Sequence, residues 1–61
     1  MSANEMAETL GFFIETHQFT GDYFLGREFQ GGHRIAIKKF SSFHRMRLWL
    51  IINYKKAIEN V

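Results

Sequence analysis

The sequence predicts an α+β fold in the order helix, β-hairpin, helix (αββα), with residues 1–61 as a single domain that pairs as a homodimer through its C-terminal helix. Three observations predict it. Helical spacing runs through both ends of the chain, a Gly31-Gly32 pair sits between two strand-like runs, and the last helix carries more apolar surface than one short helix and one hairpin can cover. The 61 residues are 46% hydrophobic with a net charge of +2, too apolar and too weakly charged for a disordered chain. A domain of this size is near the lower limit for folding alone, because it buries only about 60% of its unfolded surface.

The first helix is expected over residues 2 to about 18. Ser2 followed by Glu5 fits a capping box, in which each side chain accepts from the other's backbone amide. Met6, Leu10, Phe13, Ile14 and His17 follow helical spacing, with Phe12 pointing away from their face. Gly11 weakens such a helix by about 1 kcal/mol or admits a close neighbour. Gly21 is the expected stop.

The hairpin is expected over residues 22–29 and 33–39. A two-residue loop would set Leu25 opposite Lys38 and Phe24 opposite Lys39. A three-residue loop, Gln30-Gly31-Gly32, sets Leu25 opposite Ile37, Arg27 opposite Ile35 and Glu28 opposite Arg34. The second register is preferred. It gathers Tyr23, Leu25, Phe29, Ile35 and Ile37 on one face and pairs opposite charges on the other. A lone ribbon is unstable, so it must lean on the helices.

The second helix is expected over residues 42 to about 60, with Ser41 or Ser42 as its N-cap. Phe43, Met46, Leu50, Tyr54, Ala57 and Val61 form one apolar stripe. Leu48, Ile51 and Ile52 project from the other side, flanked by Trp49. A helix that is apolar all round is normally buried all round, which points to a second chain. The residues expected at a dimer or protein interface are Leu48, Trp49, Ile51, Ile52, Tyr54 and Phe12.

Charge is segregated. Residues 1–26 hold Glu5, Glu8, Glu15 and Asp22 with no Lys or Arg, a net −4; residues 27–61 hold all eight Lys and Arg against Glu28 and Glu59, a net +6. Either the acidic first helix pairs with the basic second one, or the basic half faces an anionic partner. Arg34, Lys38, Lys39, His44, Arg45 and Arg47 are the candidate contacts to nucleic acid or another anion. Four of these cations stand around Ser41 and Ser42 where a strand ends and a helix begins, a place suited to phosphate.

Catalytic chemistry is not expected. His17, His33 and His44 lack metal-ligand spacing, there is no cysteine, and no glycine-rich phosphate loop is present. Ser41 and Ser42 lie near His44 but are accounted for as caps. No cofactor, metal or small-molecule substrate is expected. The expected function is therefore a small, non-enzymatic binding module: a dimeric inhibitor or adaptor that grips a larger protein by exposed apolar and aromatic residues. The alternative is a dimeric nucleic-acid-binding regulator that uses the basic strand and helix. A membrane-surface role is less favoured, because the cations do not form one clean polar face. The longest apolar run is Leu48–Ile52, well short of the roughly 18 residues of a spanning helix. No charged-then-apolar leader opens the chain, so a cytoplasmic location is expected.

Overall fold

The computed structural model describes residues 1–59. It is a small single α+β domain of two helices and three antiparallel strands. The order along the chain is α1 (Ala3–Thr9), β1 (Phe13–Thr16), β2 (Tyr23–Phe29), β3 (His33–Phe40) and α2 (Phe43–Glu59). The strands lie in the order β1-β2-β3.

The expected hairpin is thus one strand short, because the expected first helix is two elements. Its start is as the sequence indicates. Ser2 Oγ accepts from the Glu5 amide at 3.2 Å, and Glu5 Oε1 accepts from the Ser2 amide at 3.1 Å. Its end is not at Gly21 but at Gly11. The Gly11 amide donates to the Glu8 carbonyl at 3.0 Å, and the Phe12 amide reaches back to the Ala7 carbonyl at 2.8 Å. These two bonds make a Schellman motif, which needs a left-handed residue after the helix; Gly11 has φ +84°. Beyond it lie Phe12, Phe13, Ile14 and Thr16, aromatic and β-branched residues that suit a pleated surface better than a helix. Phe13 pairs with Gly26 and Ile14 with Leu25, so successive side chains take opposite faces. His17 is correspondingly not on a helical core face. It lies exposed in the loop to β2, where its amide donates to the Asp22 carbonyl at 2.9 Å. Gly21, φ +74°, closes that loop through a 2.9 Å bond from its amide to the His17 carbonyl.

Both candidate hairpin registers occur, one on each side of a bulge. Near the turn Arg27 faces Ile35, Glu28 faces Arg34 and Phe29 faces His33, as the three-residue loop requires. A register shift follows Gly26, after which Leu25 faces Lys38 and Phe24 faces Lys39. The expected Leu25–Ile37 pair is therefore not made. One extra residue on β3 re-aims the strand. The shift brings Lys38 onto the side of Phe40 and Trp49, its Nζ 5.6 Å and 5.9 Å from their ring centres.

Gly26 supplies a second local constraint. A Cβ there would stand 2.5 Å from Cζ of Phe13 and 2.7 Å from the Ile35 carbonyl oxygen. The Phe13 ring therefore lies over the glycine, and the Arg34 guanidinium lies 4.8 Å from the ring centre.

Ala3, Met6, Ala7, Leu25, Phe40, Met46 and Leu50 form the buried core, with Leu10, Phe12, Ile14, Tyr23, Trp49, Ile51 and Tyr54 packed against it. Met46 and Leu50 are the centre of the predicted α2 stripe, and Tyr54 and Ala57 continue it half-buried. Phe43 meets Tyr23 edge-on at 5.6 Å. Val61 of that stripe lies outside the described residues, as does Asn60 at the expected helix end. Ser42 is the N-cap: its Oγ accepts from the Arg45 amide at 3.2 Å, and its carbonyl accepts from the Met46 amide. Both helices cover the part of the sheet around Leu25 and Phe40. The rest of the β2–β3 ribbon extends beyond them, and every residue from Arg27 to Lys39 is exposed.

Candidate interaction surface

The expected interface residues divide into two groups. Phe12, Trp49, Ile51 and Tyr54 are half-buried and pack on the core of their own chain. Trp49 meets Phe12 edge-on at 5.8 Å and Phe40 at 6.0 Å. Phe12 was expected to point away from the core; instead it closes one side of it, with the Arg27 guanidinium 4.7 Å from its ring centre. The chain turn at Gly11 redirects it. Leu48 and Ile52 form the other group, 45% and 53% exposed. They stand two residues either side of buried Leu50, which places them about 160° round the helix from it.

The basic residues also divide. Arg34 pairs with Glu28 at 3.8 Å and Lys39 with Asp22 at 3.7 Å. Lys38 lies along the Phe40 and Trp49 rings. These three are committed within the chain. His44, Arg45 and Arg47 are exposed on α2, and so are Lys55 and Lys56. No ion pair among the described residues engages Arg45, Arg47, Lys55 or Lys56. Helical geometry sets Arg45, Lys55 and Lys56 around the Leu48–Ile52 pair, with His44 at the edge and Glu59 as the single carboxylate there among the described residues. The acidic first half does not neutralise this face. Of its four carboxylates only Asp22 pairs with a cation among the described residues, and that cation is on β3.

The Ser41–Ser42 corner does not gather its cations into one cradle. Ser42 is used as a cap, and Lys38 and Lys39 leave on opposite faces of the strand.

A different polar cluster forms in the loop between β1 and β2, where no motif marks it. Thr20 Oγ1 lies 3.2 Å from His17 Nδ1 and accepts from the Asp22 amide at 3.3 Å. It borders an open cleft of about 270 Å³ lined by Glu15, Thr16, His17, Gln18 and Phe24. A hydroxyl beside an imidazole resembles the start of a nucleophile–base pair, but the Asp22 carboxylate faces Lys39 and does not orient the ring. The contacts tie the loop together. Among the described residues no group of three His, Asp or Glu side chains is placed to hold a metal ion, and no helix is long and apolar enough to cross a membrane.

Glu5 is held below the ordinary carboxylate range. Its carboxyl is lowered by the hydrogen bond from the Ser2 amide, then by the Ser2 hydroxyl, with a smaller contribution from the N-terminal charge. That is capping chemistry, not a reactive acid. Comparison with known proteins finds no matching family model, no matching curated protein and no matching solved structure.

Proposed function

We propose that this protein is a non-enzymatic, self-associating binding module that engages an acidic surface on a larger protein through the outward face of α2, as an inhibitor or adaptor would. The observation that carries this reading is the pair Leu48 and Ile52, half exposed and surrounded by Arg45, Lys55 and Lys56, none of which has an internal carboxylate partner among the described residues. An apolar centre with a charged rim is the usual anatomy of a protein interface. The rim's sign selects an acidic partner and speeds its approach. Phosphate backbones would match the cations but gain nothing from two exposed aliphatic side chains at their centre. That asymmetry favours protein over nucleic acid.

The test uses the purified protein as bait in extract treated with nuclease. Wild type is compared with Leu48→Asp/Ile52→Asp and with Arg45→Glu. A stoichiometric protein complex lost in both variants supports the reading. A bait that holds the same proteins in all three forms refutes it. Tight binding to duplex that weakens steeply with salt would instead establish the nucleic-acid alternative.

A seam on α2, the sequence-based expectation for the dimer, would bring three cations and one carboxylate against the same set. Like charges so opposed cost stability, and the residues that would have anchored the seam, Trp49, Ile51 and Tyr54, already pack inside the chain.

A further inference from the structure

We infer that the cleft beside the β1–β2 loop is a binding site for a guanidinium group, the head of an arginine side chain carried by another protein chain. This goes beyond the proposed function and uses a different surface. Ile14 and Leu25 face each other on the side of the sheet that packs on the core. The next pair, Glu15 and Phe24, therefore points to the opposite face, away from the helices. Glu15 and Phe24 line the cleft together with Thr16, His17 and Gln18.

Size limits what can enter. The cleft holds about 270 Å³. Sites that enclose a whole small molecule run from roughly 300 to 1,000 Å³, whereas a cavity of about 150 Å³ suffices for a benzene ring. One planar side-chain head fits between these bounds. The loop that walls the cleft is already fixed. The His17 amide donates to the Asp22 carbonyl at 2.9 Å, and the Gly21 amide donates to the His17 carbonyl at 2.9 Å. Thr20 Oγ1 holds both the His17 ring and the Asp22 amide. A wall set before binding loses little freedom when a ligand arrives.

Charge and ring geometry select the ligand. Residues 1–26 contain no Lys or Arg, and Glu15 is in no ion pair among the described residues. Lys39, opposite Phe24 on β3, is drawn to Asp22 at 3.7 Å. The half-buried Phe24 ring has no Lys or Arg of the described residues over it. The same sheet shows how such a place is filled. Arg34 lies 4.8 Å from the Phe13 ring centre and pairs with Glu28 at 3.8 Å, so one guanidinium meets a ring and a carboxylate together. Phe24 and Glu15 offer the same two groups, directly opposite across β1 and β2, with no cation from their own chain. A guanidinium can donate two parallel bonds to a carboxylate while its plane stacks on a ring; an ammonium meets the same site only as a point charge.

The experiment is a nuclear magnetic resonance titration of the full chain with N-acetyl-arginine amide, and separately with N-acetyl-lysine amide. The arginine compound should shift the Glu15, Gln18 and Phe24 resonances saturably in the millimolar range. The lysine compound should bind several-fold more weakly. Glu15→Gln, at an exposed position, should weaken arginine binding about tenfold, and Phe24→Leu should weaken it several-fold by removing the ring face. Leu48→Asp/Ile52→Asp should bind arginine as wild type does, so failure of the α2 reading leaves this site standing. Dilution of wild type without added ligand identifies the source. Movement of the same resonances with protein concentration, lost in Arg45→Gln/Arg47→Gln, assigns the arginine to a second copy; constant resonances assign it to a different protein. Shifts that do not saturate at the cleft, an unchanged response in Glu15→Gln, or lysine binding as tight as arginine overturns the inference.

Discussion

Trp49→Ala separates a residue that builds the fold from one that binds a partner. Sequence reasoning places Trp49 on an interface, where its loss would abolish a complex and spare the domain. The structure predicts the reverse emphasis. Trp49 sits between Phe12 and Phe40, at 5.8 Å and 6.0 Å, with Lys38 Nζ 5.9 Å from its ring centre. Truncating a fully buried Trp costs about 3–5 kcal/mol, and each aromatic pair contributes about 0.5–1.5 kcal/mol beyond its area. A half-buried Trp with two such contacts should cost about 2–3 kcal/mol on that scale. A chain of this length has a total stability of about 3–9 kcal/mol, so the variant loses a large share of it. With a slope near 1 kcal/mol per molar urea for so small a domain, the midpoint should fall by about 2 M. The assay is urea unfolding followed by circular dichroism, with Ile52→Ala alongside. Ile52 is 53% exposed and its truncation should stay within about 0.5 kcal/mol of wild type. A Trp49→Ala midpoint equal to wild type, or an Ile52→Ala variant as damaged as Trp49→Ala, would refute the packing argument.

Three further outcomes are expected. Gly26→Ala should destabilise by about 1–3 kcal/mol, because the new methyl meets a backbone carbonyl that cannot swing aside; adding Phe13→Ala should relieve only the ring clash, so full rescue in thermal melts would contradict the carbonyl contact. Ser42→Ala should cost about 1 kcal/mol by removing the α2 cap, with Ser41→Ala nearly neutral, as read from paired melting curves. Glu5 has its carboxyl lowered in the fold, so its contribution is present above the unfolded value and disappears as pH falls through the lower, folded value; Glu5→Gln keeps the capping geometry but should flatten that acid limb in a stability–pH series, and an unchanged limb would show that other carboxylates carry it.

Much of the site was legible in the sequence because helical geometry is local. The Met46–Leu50–Tyr54 stripe, the exposed side at Leu48 and Ile52, and the positions of Arg45, Lys55 and Lys56 around it follow from a rise and a turn per residue; that these cations have no carboxylate partner among the described residues does not. Which apolar residues the chain would consume itself was not legible. Phe12 and Trp49 are far apart in sequence and meet only because Gly11 turns the chain. The pairing of Lys39 with Asp22 and Arg34 with Glu28 likewise depends on strand neighbours. The Glu28–Arg34 pair follows from the turn length, whereas the partner of Lys39 depends on the bulge and the β1–β2 loop.

The sequence by itself determined the α+β class, the capping box at Ser2, the three-residue turn at Gly31-Gly32 and the second helix with its buried stripe. Each of these rests on residues within a few positions of one another. Tertiary structure decided that residues 13–16 are a strand. Phe13, Ile14 and Thr16 fit a helical spacing over one turn as well as they fit alternation, and only the edge of β2, with Gly26 open to receive the Phe13 ring, selects between them. It also decided the register. The turn prefers one alignment, while burying Leu25 and Phe40 under two helices requires the other, and the bulge on β3 satisfies both at the expense of one unpaired residue. Local interactions are too weak to settle such choices, since the free energies separating them arise from packing between segments that the chain brings together only on folding.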